Sequence, residues 1–232
     1  MRSRFLLIAA TVSACGRTDR TNSVADSTGT NAALPPSATA ADVDRPTAGG
    51  GVPSGYSGRT DRPNTPISGA RYVISGNTWY IHTGPAHIVY AAKDLASGSY
   101  SVSSTLEQLQ KPAHPEAFGV FIGGTNLDQP NQAYTYFLVR GTGEVLLKVR
   151  EGEATRDVVK WTPVAGVPKE DAAGRATYKL DVQVGTDSVK LMVNGKQVAA
   201  ASKAGLPTDG IAGLRINHNL HVKATPVVIT RS

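Results

Sequence analysis

Short apolar runs alternate with polar residues from about residue 70 onward, and Gly, Asn and Pro separate the runs. Within a run, apolar side chains often recur at every second position, a period typical of strands that bury one face. Residues 104–110 are the one helix candidate, and they lack a second apolar turn. Many short strands with Gly-rich turns and almost no helix indicate an all-β sandwich or barrel. About twelve strands are predicted, at residues 72–74, 79–81, 88–90, 100–102, 118–122, 134–140, 145–150, 178–184, 189–193, 197–199, 211–216 and 227–229.

Two turn sequences predict which strands pair. Asn194-Gly195 lies between two apolar runs and is typical of a two-residue hairpin turn, in which both residues take a positive φ. Residues 141–143, Gly-Thr-Gly, predict a three-residue hairpin loop. The register of this second hairpin places one set of side chains in the core: Phe137, Val139, Val145, Leu147 and Val149. It places a second set on the opposite face, in the pairs Leu138–Leu146, Tyr136–Lys148 and Tyr134–Arg150.

The outward face of this hairpin is the candidate ligand-binding surface. Tyr134 and Tyr136 stand opposite Arg150 and Lys148, which gives two adjacent aromatic–cation pairs. Aromatic rings stack on the apolar faces of sugars, and Arg or Lys donates hydrogen bonds to hydroxyls and carboxylates. We therefore expect both tyrosine rings to be exposed and to lie outside the core. Simple stabilisation of the sheet by cross-strand pairs is the alternative interpretation.

The N-terminus has the pattern of a secretory signal. Residues 1–4 are basic and residues 5–12 are mainly apolar; eight helical residues rise about 12 Å, far less than a hydrocarbon core of about 30 Å. The sequence Val-Ser-Ala-Cys-Gly at 12–16 resembles the bacterial lipobox, with Val12 where Leu is commoner. The resemblance implies a lipoprotein signal peptide of residues 1–14, cleavage before Cys15, and acyl chains such as palmitate on Cys15 that hold the protein to the bilayer. An ordinary signal peptide with a chance cysteine is the alternative.

The expected location is therefore the bacterial cell envelope, with a lipid anchor. Gly16 follows the cysteine, and in the sorting pattern of enterobacteria a residue other than Asp at that position implies the outer membrane rather than the inner one. The single cysteine excludes an internal disulfide.

Residues 15–68 are predicted to be a lipid-anchored disordered linker. They are almost all small or polar, and their few large apolar side chains follow no period. Such a segment buries too little surface to offset the entropy of ordering it. The folded domain is therefore predicted to comprise residues 69–232. The sequence Gly-Arg-Thr-Asp-Arg occurs at both 16–20 and 58–62; chance duplication and a binding motif both remain open.

Four segments in the second part of the chain resemble concanavalin A-like lectin/glucanase jelly rolls, and most closely their laminin-G-like and 3-keto-disaccharide-hydrolase-like members. They are Phe-Gly-Val-Phe-Ile-Gly-Gly at 118–124, Tyr-Phe-Leu-Val-Arg-Gly-Thr-Gly-Glu-Val at 136–145, Val-Lys-Leu-Met-Val-Asn-Gly at 189–195 and Gly-Ile-Ala-Gly-Leu-Arg-Ile at 210–216. The resemblance covers about residues 70–230. It implies a two-sheet antiparallel jelly-roll sandwich with one concave and one convex sheet.

Catalytic and metal-binding patterns are scarce. There is no Gly-x-Ser-x-Gly, no phosphate loop and no His-Glu-x-x-His, and the Glu-x-Asp-x-x-Glu strand of the related endoglucanases is missing. Glu151 and Glu153 share a face but lie beside Gly at a predicted strand end, which favours a solvated turn. We therefore expect no cofactor and no metal. His218 and His221 are considered as a metal pair, but the sequence places no third ligand beside them; His82 and His87, which flank a turn, are interpreted as a pair of surface histidines.

Three classes of function remain open. The first is a non-catalytic, envelope-anchored binding module for a glycan or another envelope polymer. The second is a structural or assembly lipoprotein with a protein partner, and the third is a glycoside-processing hydrolase. Nucleic acid is not an expected partner, because the net charge of +6 arises from interspersed charges without a basic stripe of stacking aromatics. Trp79 and Trp161 are interpreted as core or rim anchors rather than ligand platforms.

Overall fold

The structure, a computed structural model, describes residues 51–231, and these form two antiparallel β-sheets packed face to face. The all-β jelly-roll sandwich predicted from the sequence is confirmed. The strands within this range are β1 Ser57–Thr60, β2 Ala70–Ser75, β3 Thr78–Thr83, β4 His87–Ala96, β5 Tyr100–Gln108, β6 Ala117–Thr125, β7 Ala133–Arg140, β8 Glu144–Glu151, β9 Ala154–Pro163, β10 Ala176–Val184, β11 Ser188–Val193, β12 Lys196–Ser202, β13 Gly210–Ile216, β14 His221–Ala224 and β15 Val228–Arg231.

The two sheets have seven and eight strands. In the seven-stranded sheet the order is β1-β4-β13-β6-β7-β8-β9. In the eight-stranded sheet the order is β12-β11-β10-β5-β14-β3-β2, and β15 pairs with β5 alongside β14. Strands β1 and β9 form the edges of the first sheet, and this places the centre of its outer face on β13, β6 and β7.

The core lies between the sheets and is built by alternation. On β10, Tyr178, Leu180, Val182 and Val184 are buried while the residues between them face outward. On β7 and β8 the inward set predicted from the hairpin register is buried, and the register itself is confirmed. Both hairpin turns also have the predicted backbone: φ is 50° at Asn194, 79° at Gly195 and 81° at Gly143.

The helix candidate at residues 104–110 is wrong, because residues 104–108 belong to strand β5. Buried and outward side chains alternate along the whole strand. Strand β5 pairs with β10 on one side and with β14 and β15 on the other, so distant strands satisfy its backbone. Between residues 51 and 231 the helical structure is one 3-10 turn, Ile67–Gly69, and no helix there is long and apolar enough to cross a membrane.

The predicted domain boundary at residue 69 is also wrong. Strand β1 lies within the segment assigned to the linker and pairs with β4 along its full length. Val52, Tyr56 and Ile67 pack against the core, and the ring centroid of Tyr56 is 4.6 Å from that of Trp79. The composition of this segment concealed the strand, because an edge strand is held largely by backbone hydrogen bonds to its neighbour. The predicted signal peptide, Cys15 and the predicted linker up to residue 50 lie outside the described residues.

Candidate functional site

The outer face of the seven-stranded sheet carries a second buried cluster, separate from the core between the sheets. Outer faces of antiparallel sheets are usually polar and solvated, so an apolar, aromatic outer face has to be explained. The loop between β6 and β7 covers part of this face, and its Leu127 is buried there. The Arg59 guanidinium donates hydrogen bonds to the carbonyls of Leu127 and Gln129 in this loop. The buried members are Ile88, Tyr90, Ala117, Phe121, Leu127, Tyr134, Tyr136, Leu138 and Leu146.

The four residues predicted as the ligand-binding surface lie together on this face. Tyr134 pairs with Arg150 and Tyr136 with Lys148, as the hairpin register predicted. The predicted exposure of the tyrosine rings is wrong: Tyr134 is 1% exposed and Tyr136 is 6% exposed. The Tyr134 ring packs against Phe121 and Tyr136, at centroid distances of 5.2 and 5.5 Å. Both tyrosines therefore form the floor of this face and offer no open stacking surface.

Two further residues complete the cluster, and sequence analysis did not select either of them. Arg215 lies on β13, two strands away from β7, and is 6% exposed. Asp61 follows the end of β1, and 31% of its side-chain surface is exposed. A sequence signal existed for both. Arg215 is a lone charge between the inward-facing Leu214 and Ile216, and Asp61 belongs to the second copy of the repeated pentapeptide.

The Asp61 carboxylate joins two guanidinium groups. Arg215 donates to both of its oxygens, from Nη1 to Oδ1 and from Nη2 to Oδ2, each at 2.5 Å. Arg150 donates from Nη1 to Oδ1 at 3.2 Å and from Nε to the Gly152 carbonyl at 2.9 Å. Burial alone would raise the pKa of Asp61, but the hydrogen bonds and charges of Arg215 and Arg150 outweigh burial and lower the pKa. Asp61 is therefore ionised at neutral pH.

The two tyrosines hold the Arg215 guanidinium from below. Its centre lies 5.4 Å from the Tyr136 ring centroid, and Nη1 is 3.5 Å from the Tyr134 hydroxyl oxygen. Burial raises the pKa of both phenols, to about 12 for Tyr136, so both are neutral at physiological pH. The Arg215 Nε–H is buried and has no hydrogen-bond partner among the described residues.

The rim of the cluster is polar and more accessible. Lys148 pairs with Asp157 at 3.1 Å, and Arg140 pairs with Glu144 at 2.6 Å. The Arg140 guanidinium also lies 4.3 Å from the ring centroid of Trp161, which is partly buried on the edge strand β9. Trp161 is thus the aromatic side chain at the border between this cluster and solvent.

The histidines flagged in the sequence are not grouped as expected. His82 stacks on His221 across β3 and β14, at a centroid distance of 5.3 Å. His87 is buried between the sheets, so its predicted surface position is wrong, and His218 lies 3.3 Å from a carboxylate oxygen of Glu116. Over residues 51–231, no group of three or more His, Cys, Asp or Glu side chains has the geometry to hold a metal ion.

Two shallow depressions lie on the outer face of the opposite, eight-stranded sheet. The first, of about 320 Å³, is lined by Lys179, Asp181, Gln183, Met192, Asn194 and Gly195. The second, of about 360 Å³, adjoins it at Gln183 and is lined by β5, β10 and β11. Neither lining set contains an arginine or an exposed aromatic ring, so the Asp61–Arg150–Arg215 cluster is the stronger candidate site.

Solved structures share the fold of this chain. The carbohydrate-binding module CBM66 from Bacillus subtilis is 14% identical, with a TM-score of 0.55, and the match covers 76% of this chain and 95% of that one. A protein of unknown function with a galectin-like fold, also from Bacillus subtilis, is 9% identical, with a TM-score of 0.51, and the match covers 76% and 89% of the two chains. No family model and no curated protein sequence matches the chain. At these identities the likeness concerns the fold.

Proposed function

We propose that this protein is a non-catalytic glycan-binding module whose site is the outer face of the seven-stranded sheet. The observation that carries the proposal is the pair of nearly buried arginines, Arg150 and Arg215, on a face that does not belong to the core. Burying two guanidinium groups costs desolvation energy that a purely structural face avoids. A buried ion pair is weak evidence for a contribution to stability, so these arginines mark the face as a candidate ligand site.

The chemistry of the face suits a sugar. Arginine and lysine donate hydrogen bonds to hydroxyls and carboxylates, and the partly exposed Trp161 supplies an apolar surface for a pyranose ring. One of the solved structures with the same fold is itself named as a carbohydrate-binding module. Fold likeness by itself does not assign a function, so the arrangement of side chains carries the argument.

The carboxylates of this face favour binding over hydrolysis. A glycosidase needs a general acid whose pKa is raised, beside a second carboxylate. The pKa of Asp61 is lowered, mainly by Arg215, and the pKa of Glu144 is lowered by hydrogen bonds from Thr142 and Arg140. Neither carboxyl group is therefore suited to donate a proton to a leaving group at neutral pH.

A glycan-array screen of the full-length protein tests the proposal. For the best ligand, we expect Trp161→Ala to raise the Kd measured by isothermal titration about tenfold, as for an aromatic anchor. Lys148→Ala, which removes a rim cation paired with the exposed Asp157, is expected to weaken binding less. The matched control is Tyr80→Ala, which removes an exposed ring from the outer side of the other sheet.

An unchanged Kd in both rim variants would place the glycan elsewhere. A blank array would contradict the function itself. In that case the protein-partner hypothesis gains weight, because Val73 and Tyr80 form an exposed apolar cross-strand pair at the border of the eight-stranded sheet.

Anchoring at the cell envelope through acylated Cys15 is part of the same proposal. It rests on the lipobox-like sequence at 12–16. We expect Cys15→Ser to accumulate as the uncleaved precursor and to take up no radiolabelled palmitate, because the thiol that accepts the lipid is gone. A variant that is still processed and still sediments with membranes would show that the protein is held there in another way.

A further inference from the structure

We infer that Arg150 and Arg215 form a carboxylate subsite, and that Asp61 occupies it when no ligand is bound. The ligand is then an acidic glycan, whose uronate carboxylate replaces the Asp61 side chain. This inference rests on the proposed glycan-binding function and names the class of sugar.

The charges at the site favour an anion. Two guanidinium groups share one carboxylate, which leaves one positive charge in excess. The neighbouring rim does not cancel this charge, because Lys148 is paired with Asp157 and Arg140 with Glu144. A neutral sugar gains nothing from this excess, whereas a uronate is attracted to it.

The geometry is that of carboxylate recognition. Arg215 contacts both oxygens of Asp61 in the two-pronged arrangement typical of guanidinium–carboxylate pairs, and Arg150 contacts one of them from the side. The phenols of Tyr134 and Tyr136 support Arg215 from below, so the fork stays in place when its partner changes. The partnerless Nε–H of Arg215 is a buried donor that Asp61 leaves unsatisfied.

Asp61 is placed so that it can leave. Its backbone is held independently of its side chain, because the Asp61 N–H donates to the Ala86 carbonyl and the Thr60 hydroxyl donates to the Arg62 and Thr65 carbonyls. Its side chain is more exposed than those of Arg150 and Arg215. Rotation of this one side chain into solvent frees both arginines without breaking β1. An incoming carboxylate then restores the same hydrogen bonds, so the exchange leaves no buried guanidinium unpaired.

The test uses pairs of probes that differ only in the carboxylate. Oligomers of galacturonate, glucuronate and mannuronate are each compared with their carboxyl-reduced, neutral counterparts. Kd values are measured by isothermal titration with the full-length protein. We expect the wild-type protein to bind at least one uronate oligomer several-fold more tightly than its reduced form.

Asp61→Asn removes the competing carboxylate. We expect it to lower the Kd for the uronate oligomer about tenfold and to leave the Kd for the reduced oligomer unchanged. The matched control is Asp157→Asn, which adds the same charge to the same face but removes no partner from Arg150 or Arg215. An equal gain in both variants would mean general electrostatic attraction and would overturn the displacement of Asp61.

Other outcomes separate this inference from the proposed function. Equal affinity for charged and reduced oligomers, or a neutral ligand on the array with no uronate binding, would overturn the acidic-glycan inference and leave the binding module intact. Binding of a tetra-glutamate peptide in preference to any oligosaccharide would overturn both. If Asp61→Asn does not fold, Arg150→Gln decides: loss of the wild-type preference for uronate over the reduced form supports the inference, and an unchanged preference contradicts it.

Discussion

Replacing Tyr134 with alanine should lower the free energy of unfolding by about 3–5 kcal/mol, the usual loss when a fully buried aromatic side chain is truncated. The ring is 1% exposed and contacts Phe121 and Tyr136, so its removal leaves a cavity beneath the charged cluster. It also removes the hydroxyl next to Arg215. Urea unfolding at pH 7, followed by circular dichroism, measures the change.

Two variants locate the origin of this loss. Tyr134→Phe keeps the ring and removes only the hydroxyl, so it should cost about 1 kcal/mol or less. Tyr80→Ala removes a tyrosine that is 39% exposed, and we expect a change below about 1 kcal/mol. A Tyr134→Ala protein as stable as the Tyr80→Ala protein would mean that the ring is exposed in solution, as the hairpin pattern alone predicted.

Acid should destabilise the protein well before its carboxylates are protonated, because His87 is buried in its neutral form. Its Nδ1 lies 2.9 Å from the Pro85 carbonyl, which can only accept, so Nδ1 carries the proton and Nε2 accepts from the Tyr72 hydroxyl at 2.5 Å. Burial lowers the pKa of His87 from 6.5 to about 4; the Pro85 hydrogen bond and Asp61 raise it and Arg215 lowers it, but burial outweighs all three.

The direction of the pH effect follows from proton uptake. Above pH 6.5 the histidine is neutral in both states, and its full contribution to stability is present. Between pH 6.5 and about 4 the unfolded chain binds a proton that the folded chain does not, so stability falls with falling pH, by on the order of 3 kcal/mol in total. His221, whose pKa is lowered by burial and by His82 and Arg175, acts in the same direction.

Urea unfolding at a series of pH values from 7.5 to 3.5 tests this expectation. His87→Gln should flatten the curve between pH 6.5 and 4, whereas His218→Gln, which alters a half-exposed histidine, should leave it unchanged. Below about pH 4 a further loss is expected in both variants, because the unfolded chain then binds a proton at Asp61, whose pKa is lowered in the folded protein. A wild-type protein whose stability is constant from pH 7 to 4 would show that His87 is accessible to water in the folded state.

The alternation of apolar and polar side chains, together with the turn sequences, was enough to predict much of the fold. The period of two along the strands was enough for the all-β sandwich, and Gly-Thr-Gly at 141–143 was enough to place Tyr136 opposite Lys148. Both inferences depend on residues close together in the chain, where side-chain period and turn geometry act directly. The helix prediction at 104–110 was wrong because buried positions of β5 there include the polar Ser104 and Gln108, and because its pairing partners β10 and β14 are distant in sequence.

Only the tertiary structure decided which outward side chains are buried and which charges meet. An outward position on a hairpin is solvated only if nothing folds over it, and here Arg59 and the loop carrying Leu127 close one side of the face. Asp61 and Arg215 are 154 positions apart; Asp61 follows the end of β1, whereas Arg215 lies on β13. No periodic pattern in the sequence predicts such a pair, because a contact between distant segments depends on how the whole chain folds. The partner of a buried charge is then whichever residue the fold brings next to it.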